Sequence, residues 1–218
     1  MASKDLGIKS AYDLKGKRVS IGAQGSGVVT NATQILEKHG ISLDDILIQN
    51  LDSGASAAAM KEGKLDAFFF TGGVPTPAIQ ELESGNMGIT IVSLDADKIA
   101  ELQAESPFYV QIDMTHDVYT SIPEGDKASA VAVTATYIVS DDVDDETVYN
   151  VTKALWEKQG DIAAAHNTGK SMNIKNALVG MDNVPINAGA KRYYEEYLDK
   201  YNADNGTSLT FDQFYYNK

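Results

Sequence analysis

Short apolar runs alternate with amphipathic stretches through the first half of this chain. Residues 19–21 are an apolar run of strand length. Residues 27–39 carry Val28, Ala32, Ile35 and Leu36 at helical spacing, and Gly40 stops them. Residues 46–51 predict a second strand. Ser53-Gly54 opens a second helix over 55–62, closed at Gly63. Residues 65–70 are almost wholly apolar and predict a third strand buried on both faces. A third helix over 76–84, a fourth strand over 89–94 and a short helix over 98–105 complete the series. This β-α-β-α-β-α-β order predicts an α/β fold with a mainly parallel sheet, flanking helices and right-handed crossovers.

The rhythm changes after Pro107. Residues 108–112 read as extended, 118–125 as loop and 128–140 as one long strand of small and β-branched residues. Acidic residues from Asp141 to Glu146 suit a helix N-terminus. A single long helix over 145–165 follows, with Val148, Val151, Leu155, Trp156 and Ile162, softened at Gly160. Shorter helices are predicted over 174–178 and 188–201. The polar tail 202–218, with Phe211, Phe214, Tyr215 and Tyr216, is either a docked extension or partly disordered. Met1-Ala2-Ser3 reads as an initiation remnant rather than folded structure.

Composition narrows the function classes. The 218 residues carry a net charge of −13, with no basic stripe to replace the counterions of a nucleic acid. No apolar run approaches the ~20 residues of a membrane span. With no cysteine, disulfides, thiolate metal sites and cysteine nucleophiles are excluded. The start has no leader-like apolar segment, so the chain is cytoplasmic or its export signal lies outside this sequence.

Candidate chemistry sits where strands run into glycines. After residues 19–21 come Gly22, Gly25 and Gly27, with Ser26 at the start of a helix. Such a turn directs free backbone N–H groups, and the positive end of a helix dipole, at a concave space suited to an anion, most simply a carboxylate. Ser26 could equally cap its own helix. Thr30 and Asn31 could add polar atoms, although on a helix they point elsewhere. Thr71, Gly72, Gly73 and Val74 follow a buried strand at the end where open α/β sheets place ligands, or they are a plain turn before a proline-started helix. Phe69 and Phe70 read as core. Phe108 and Tyr109 suit a hinge or cleft wall as well as simple packing. Thr134 and Thr136 share one face of the predicted strand, with Tyr137 on the other. His39, His116 and His166 lack metal-ligand spacing, and the acidic cluster lacks the pattern of a calcium loop. Neither a metal nor a cofactor is expected.

Four segments together resemble one family. They are Asp13-Leu-Lys-Gly-Lys-Arg-Val-Ser-Ile-Gly-Ala-Gln-Gly-Ser-Gly27, Asp66-Ala-Phe-Phe-Phe-Thr-Gly-Gly-Val-Pro75, Pro107-Phe-Tyr-Val110 and Asn187-Ala-Gly-Ala-Lys-Arg-Tyr-Tyr194. In this order they are similar to the TAXI family of solute receptors for tripartite ATP-independent periplasmic (TRAP) transporters. The resemblance runs from about Leu6 to Tyr197. It implies a type II periplasmic binding-protein fold and an extracytoplasmic receptor. That receptor would hold a small organic anion, such as glutamate or a related dicarboxylate, and present it to TRAP membrane subunits. By the same resemblance, residues 12–120 form the ligand-binding second lobe. Residues 128–218 form a return segment that completes lobe one, with C-terminal helices. By that resemblance the usual N-terminal part of lobe one is expected to be absent from this chain. A separate N-terminal segment or self-association is then expected to cover the gap, and the chain alone to bind weakly. The implied ligand contacts are Gly25, Ser26, Gly27, Thr30, Thr71, Gly72, Gly73, Val74, Phe108, Tyr109, Thr134 and Thr136. Val28 and Val29 stand where such receptors commonly carry polar residues.

The leading expectation is therefore a non-enzymatic binding protein. A nucleotide-binding Rossmann-like enzyme is the alternative, but Gly22-x-x-Gly25-x-Gly27 fits neither G-x-G-x-x-G nor a lysine-containing phosphate loop. No G-x-S-x-G elbow exists, since Gln24 stands at its first glycine. A structural or antigenic surface protein is the third possibility.

Overall fold

The computed structural model describes residues 1–85, 88–181 and 184–216. They form two compact units, 1–133 and 134–218.

The first unit is α/β. Strands β2 (Arg18–Ser20), β3 (Leu47–Gln49) and β4 (Ala67–Phe68) run parallel, with β2 in the middle. Helices α1 (Gly27–Lys38), α2 (Ser53–Lys61), α3 (Pro77–Ser84) and α4 (Ala96–Glu105) connect and flank the strands. The predicted helices were found within two residues at nearly every end. The strands are shorter than their apolar runs: of residues 65–70 only two pair regularly. Leu65 is buried in the turn before the ladder, and Phe69 and Phe70 pack into the core after it.

One strand has no counterpart in the hydrophobic pattern. Strand β1 (Ala2–Ser3) lies antiparallel between β4 and β5 (Ile89–Thr90), giving the order β3-β2-β4-β1-β5. Ala2 is fully buried opposite Ala67 and Thr90. Residues 1–3 are thus a central strand and not a remnant. The Met1 amine donates to the Phe68 carbonyl at 2.8 Å, and burial pushes its pKa down to about 5. A two-residue strand carries too little pattern to announce itself, and its pairing is supplied by the tertiary context.

A salt bridge fastens the near ends of β2 and β4. The Asp66 carboxylate accepts from the Arg18 backbone N–H at 2.8 Å and from its guanidinium at 2.5 Å, and Arg18 also donates to the Gly63 carbonyl. The guanidinium holds the Asp66 carboxyl below the usual range. Val19, Ile21, Leu36, Ile41 and Ala67 form one apolar cluster. Met60, Leu65, Phe68, Leu82 and Ile89 form another, closed by Met114 and Tyr119.

Strands β6 (Tyr109–Thr115) and β7 (Lys127–Val133) make an antiparallel ribbon, Tyr109 opposite Val133 and Thr115 opposite Lys127. The strand predicted over 128–140 ends at Val133 because β6 begins at Tyr109 and offers no further partner. Residues 134–140 belong to no strand or helix, and Tyr137 and Ile138 are almost fully exposed.

The second unit is helical: α5 (Asp145–Glu157), α6 (Gln159–Ala165), α7 (Ala188–Asn205) and α8 (Phe211–Tyr215). The single helix predicted over 145–165 is interrupted at Lys158, two residues before Gly160, whose backbone freedom weakens helix there. Asp144 caps α5 by accepting from the Thr147 N–H, and Asn187 caps α7 by accepting from Gly189 and Ala190. Gly189 sits against the Asp145 carbonyl, with no room for a side chain between α5 and α7. The polar tail is docked. Phe214 and Tyr215 are buried, and the Tyr215 hydroxyl donates to the Tyr194 carbonyl at 2.9 Å. No helix among the described residues is long and apolar enough to cross a membrane.

Candidate functional site

Because β3, β2 and β4 are parallel neighbours, their carboxyl ends lie at one edge of the sheet. The segments that follow, residues 21–26, 50–52 and 69–76, leave from that edge together. Beneath them lies a buried serine pair. Ser56 Oγ donates to Ser20 Oγ at 2.9 Å, and Ser20 Oγ donates to the Leu51 carbonyl at 3.2 Å. Asn50 donates to the Gly22 carbonyl at 3.1 Å, fastening the segment after β3 to the bend after β2. Gly22 is the residue that bend cannot replace. Its φ is +101°, and a Cβ there would lie 2.6 Å from Val28 Cβ.

The bend delivers the chain into α1. Ser26 occupies the N-cap position, yet its hydroxyl makes no capping bond; Oγ is buried, turned toward Gly22, and has no partner among the described residues. The capping alternative is therefore not what the side chain does. The first-turn amides of Gly27 and Val28 have no intrahelical acceptor and face off the helix end. Gly25, Gly27 and Thr30 are exposed.

Asn31 joins the two glycine bends. Its Nδ2 donates to Thr71 Oγ1 at 3.1 Å, across forty residues of sequence. This corrects the expectation that Asn31 points elsewhere: one turn into α1, its side chain reaches the segment after β4. Behind it, the Tyr109 hydroxyl lies 3.0 Å from Asn31 Oδ1 and 2.6 Å from Gln34 Oε1. Tyr109 is 2% exposed, so it stands behind the bends and not along their surface. Burial raises its hydroxyl pKa and keeps it protonated. Thr71, Gly72, Gly73 and Val74 are exposed. Thr76 braces them, donating through its hydroxyl to the Gly73 carbonyl at 2.6 Å and through its N–H to Tyr119 at 3.0 Å.

The Asn31–Thr71 bond joins the helix that follows Gly25, Ser26 and Gly27 to the segment Thr71–Val74. Phe108 is 41% exposed and its ring meets Tyr109 at 4.7 Å. Thr134 and Thr136 fall in the second unit, exposed and outside any strand; Thr136 Oγ1 donates to the Thr134 carbonyl at 3.3 Å. Sequence reasoning did not single out Gln34, Asn50, Ser20 or Ser56. A helical Asn and Gln three residues apart were the available hint, since both share one helix face.

Electrostatically the site is unusual for so acidic a chain. Residues 19–31 and 69–76 contain no ionisable side chain; of the three segments at this edge only 50–52 carries one, Asp52, which accepts from the Ala55 N–H at 2.8 Å. What residues 19–31 and 69–76 present is neutral: backbone amides, hydroxyls and carboxamides. Among the described residues no group of three His, Asp or Glu could hold a metal ion. His39 bonds the Ile35 carbonyl through Nδ1 at 2.7 Å and faces Asp95 at 3.4 Å, while His116 bonds the Ile122 carbonyl at 2.7 Å.

Residues 1–197 match the NMT1-like family, most of the chain. The chain belongs to that family. Among solved structures, this NMT1-like chain is similar to the alkanesulfonate-binding protein SsuA from Xanthomonas axonopodis pv. citri bound to MOPS. The identity is 29% over 32% of this chain and 24% of that one, with a TM-score of 0.30. It is also similar to the periplasmic aliphatic sulphonate binding protein SsuA from Escherichia coli. There the identity is 16% over 99% of this chain and 69% of that one, with a TM-score of 0.41. The NMT1-like chain thus spans under a quarter of the first structure and about two thirds of the second.

Proposed function

We propose that this chain is an extracytoplasmic, non-enzymatic solute receptor that holds a small organic anion at the paired bends 22–31 and 71–74. The anion is a carboxylate of glutamate or dicarboxylate type, and the receptor hands it to a membrane transporter of the TRAP class. Membership of the NMT1-like family supports a receptor. The observation that carries the site is the Asn31–Thr71 bond, which unites two glycine bends at the carboxyl edge of parallel strands, where α/β sheets place ligands.

The mechanism follows from the donors. First-turn amides of α1 and the Thr71 hydroxyl offer hydrogen to an oxyanion, and the helix dipole adds partial positive charge. Each hydrogen bond to a charged group contributes roughly 1.5–3 kcal/mol. Without Lys or Arg in these segments, discrimination comes from shape and donor placement. An acidic surface elsewhere disfavours nonspecific anion binding.

The test is a backbone-amide NMR titration of the chain with glutamate, glutarate, 2-oxoglutarate and ethanesulfonate, which spans carboxylates and sulfonates. Shifts clustered at Gly25–Asn31 and Thr71–Val74 are expected. Shifts elsewhere, or none with any probe, refute the assignment.

A further inference from the structure

Four side chains behind the bends form a hydrogen-bond chain whose direction matters at Thr71. The Tyr109 hydroxyl has two carboxamide oxygens within reach, Asn31 Oδ1 at 3.0 Å and Gln34 Oε1 at 2.6 Å, but only one proton to donate. One carboxamide must therefore turn its NH2 group to the phenolic lone pair. Two complete arrangements satisfy every group. In the first, Gln34 donates to Tyr109, Tyr109 to Asn31 and Asn31 to Thr71. The proton of Thr71 is then left for whatever lies in front of the bends. In the second every bond is reversed: Thr71 donates to Asn31, Asn31 to Tyr109, Tyr109 to Gln34, and Thr71 shows only a lone pair outward. Half-turns of the two carboxamides exchange the arrangements with the same atoms in contact.

Building on the receptor reading above, we propose that Gln34, Tyr109 and Asn31 form a reversible relay, and that Asn31 is the positioning residue that sets Thr71 as an outward donor when an oxyanion binds. An oxyanion offers lone pairs only, so it stabilises the first arrangement and not the second. The relay is shielded where it must be. Tyr109 is buried and stays protonated, and Asn31 and Gln34 are half-buried on α1. Bonds in such a chain polarise one another, so the donor strength of Thr71 depends on groups that never touch the ligand. The same device lets the site accept an N–H-bearing group by reversal, which makes Thr71 a specificity-determining position.

The test exploits residues that fix the direction. Glutarate and ethanesulfonate affinities are read by NMR titration of the whole chain. Gln34→Glu supplies an acceptor-only carboxylate that takes the Tyr109 proton and forces the second arrangement; affinity for both probes is expected to fall about tenfold. Gln34→Leu removes the competing acceptor, leaves the Tyr109 proton to Asn31, and is expected to lose clearly less affinity than Gln34→Glu. Asn31→Asp, which accepts from both neighbours, is expected to fall at least as far as Gln34→Glu. The added charge is controlled by repeating Gln34→Glu in a Tyr109→Phe background, where no phenol remains to be reversed and the loss is expected to shrink. Equal affinities for Gln34→Glu and Gln34→Leu, or an undiminished loss in the Tyr109→Phe background, overturn the relay. If Thr71→Val still weakens binding in that event, the receptor reading survives. An original chain that shifts with none of glutarate, ethanesulfonate, glutamate and 2-oxoglutarate refutes both.

Discussion

In residues 1–133, polar side chains reach through the fold: Asp66 to Arg18, Ser56 to Ser20, Asn50 to Gly22, Asn31 to Thr71. In residues 134–218 long-range side-chain hydrogen bonds, such as Trp156 to Tyr194 and Arg192 to Glu146, are set among many packed rings. Tyr193, Tyr194, Tyr215 and Phe214 meet edge to face, Lys175 lies 4.4 Å above Tyr201, and the Arg192 guanidinium lies 3.9 Å above Tyr149. Directional bonds hold loops in one geometry, which a binding edge needs. Aromatic packing buries area with looser angular demands and leaves fewer presented donors. The first unit uses such bonds to tie its loops together, and the second uses them to brace an aromatic cluster.

The largest effect that can break this contrast lies in the second unit. Gly189→Val drives a branched side chain into the Asp145 carbonyl and is expected to cost about 3 kcal/mol or more. Trp156, the only tryptophan and half-buried in the aromatic cluster, reports it by fluorescence, and hydrogen exchange should accelerate across α5 and α7. An unchanged unfolding midpoint would mean that close helix packing is not what holds this unit.

Asp66→Asn probes the directional side. It removes the carboxylate that orients Arg18, and because the Arg18 side chain is 40% exposed the loss is screened to about 1–2 kcal/mol. The sign with pH is definite. A carboxyl held below its usual range contributes stability above that range, and the contribution is lost as pH falls through its lowered value. Acid unfolding followed by hydrogen exchange in residues 17–21 should therefore flatten in the variant. Unaltered acid sensitivity would show that the salt bridge is ornamental.

Tyr215→Phe sharpens the contrast from the other side. It deletes one buried hydrogen bond and keeps the ring, so a loss of about 1 kcal/mol in chemical denaturation is expected. A much larger loss would mean that the aromatic unit depends on direction after all. Smallest of all, Ile138→Thr removes apolar surface that is already 88% exposed, and thermal stability should move by less than about 0.5 kcal/mol.

Local pattern reached the helices and stopped short of the connections. Val28, Ala32, Ile35 and Leu36 at helical spacing place α1 because amphipathicity is written within a dozen residues. The strand continuing beyond Val133 was misjudged because β-branched residues state only a preference, while pairing needs a partner, and β6 begins at Tyr109. The glycine bends were legible as bends through Gly22, Gly25 and Gly72-Gly73. That Asn31 ties one to the other was not, since Thr71 is distant in sequence and nothing near Asn31 announces it. Ser26 carried two readings, a helix cap and a ligand contact, and only the cap is set aside by the structure. Its position fits a helix cap, but its buried Oγ makes no capping bond and lies beside Gly22.

The strand Ala2–Ser3 finds both of its neighbours, at Ala67 and at Ile89–Thr90, only across long stretches of chain. The five-stranded sheet therefore cannot zip up from local hairpins; it waits for a slow search that joins distant parts of the polypeptide. Until that capture happens, β4 and β5 each keep an open side, and an intruding extended peptide could occupy the slot in its place.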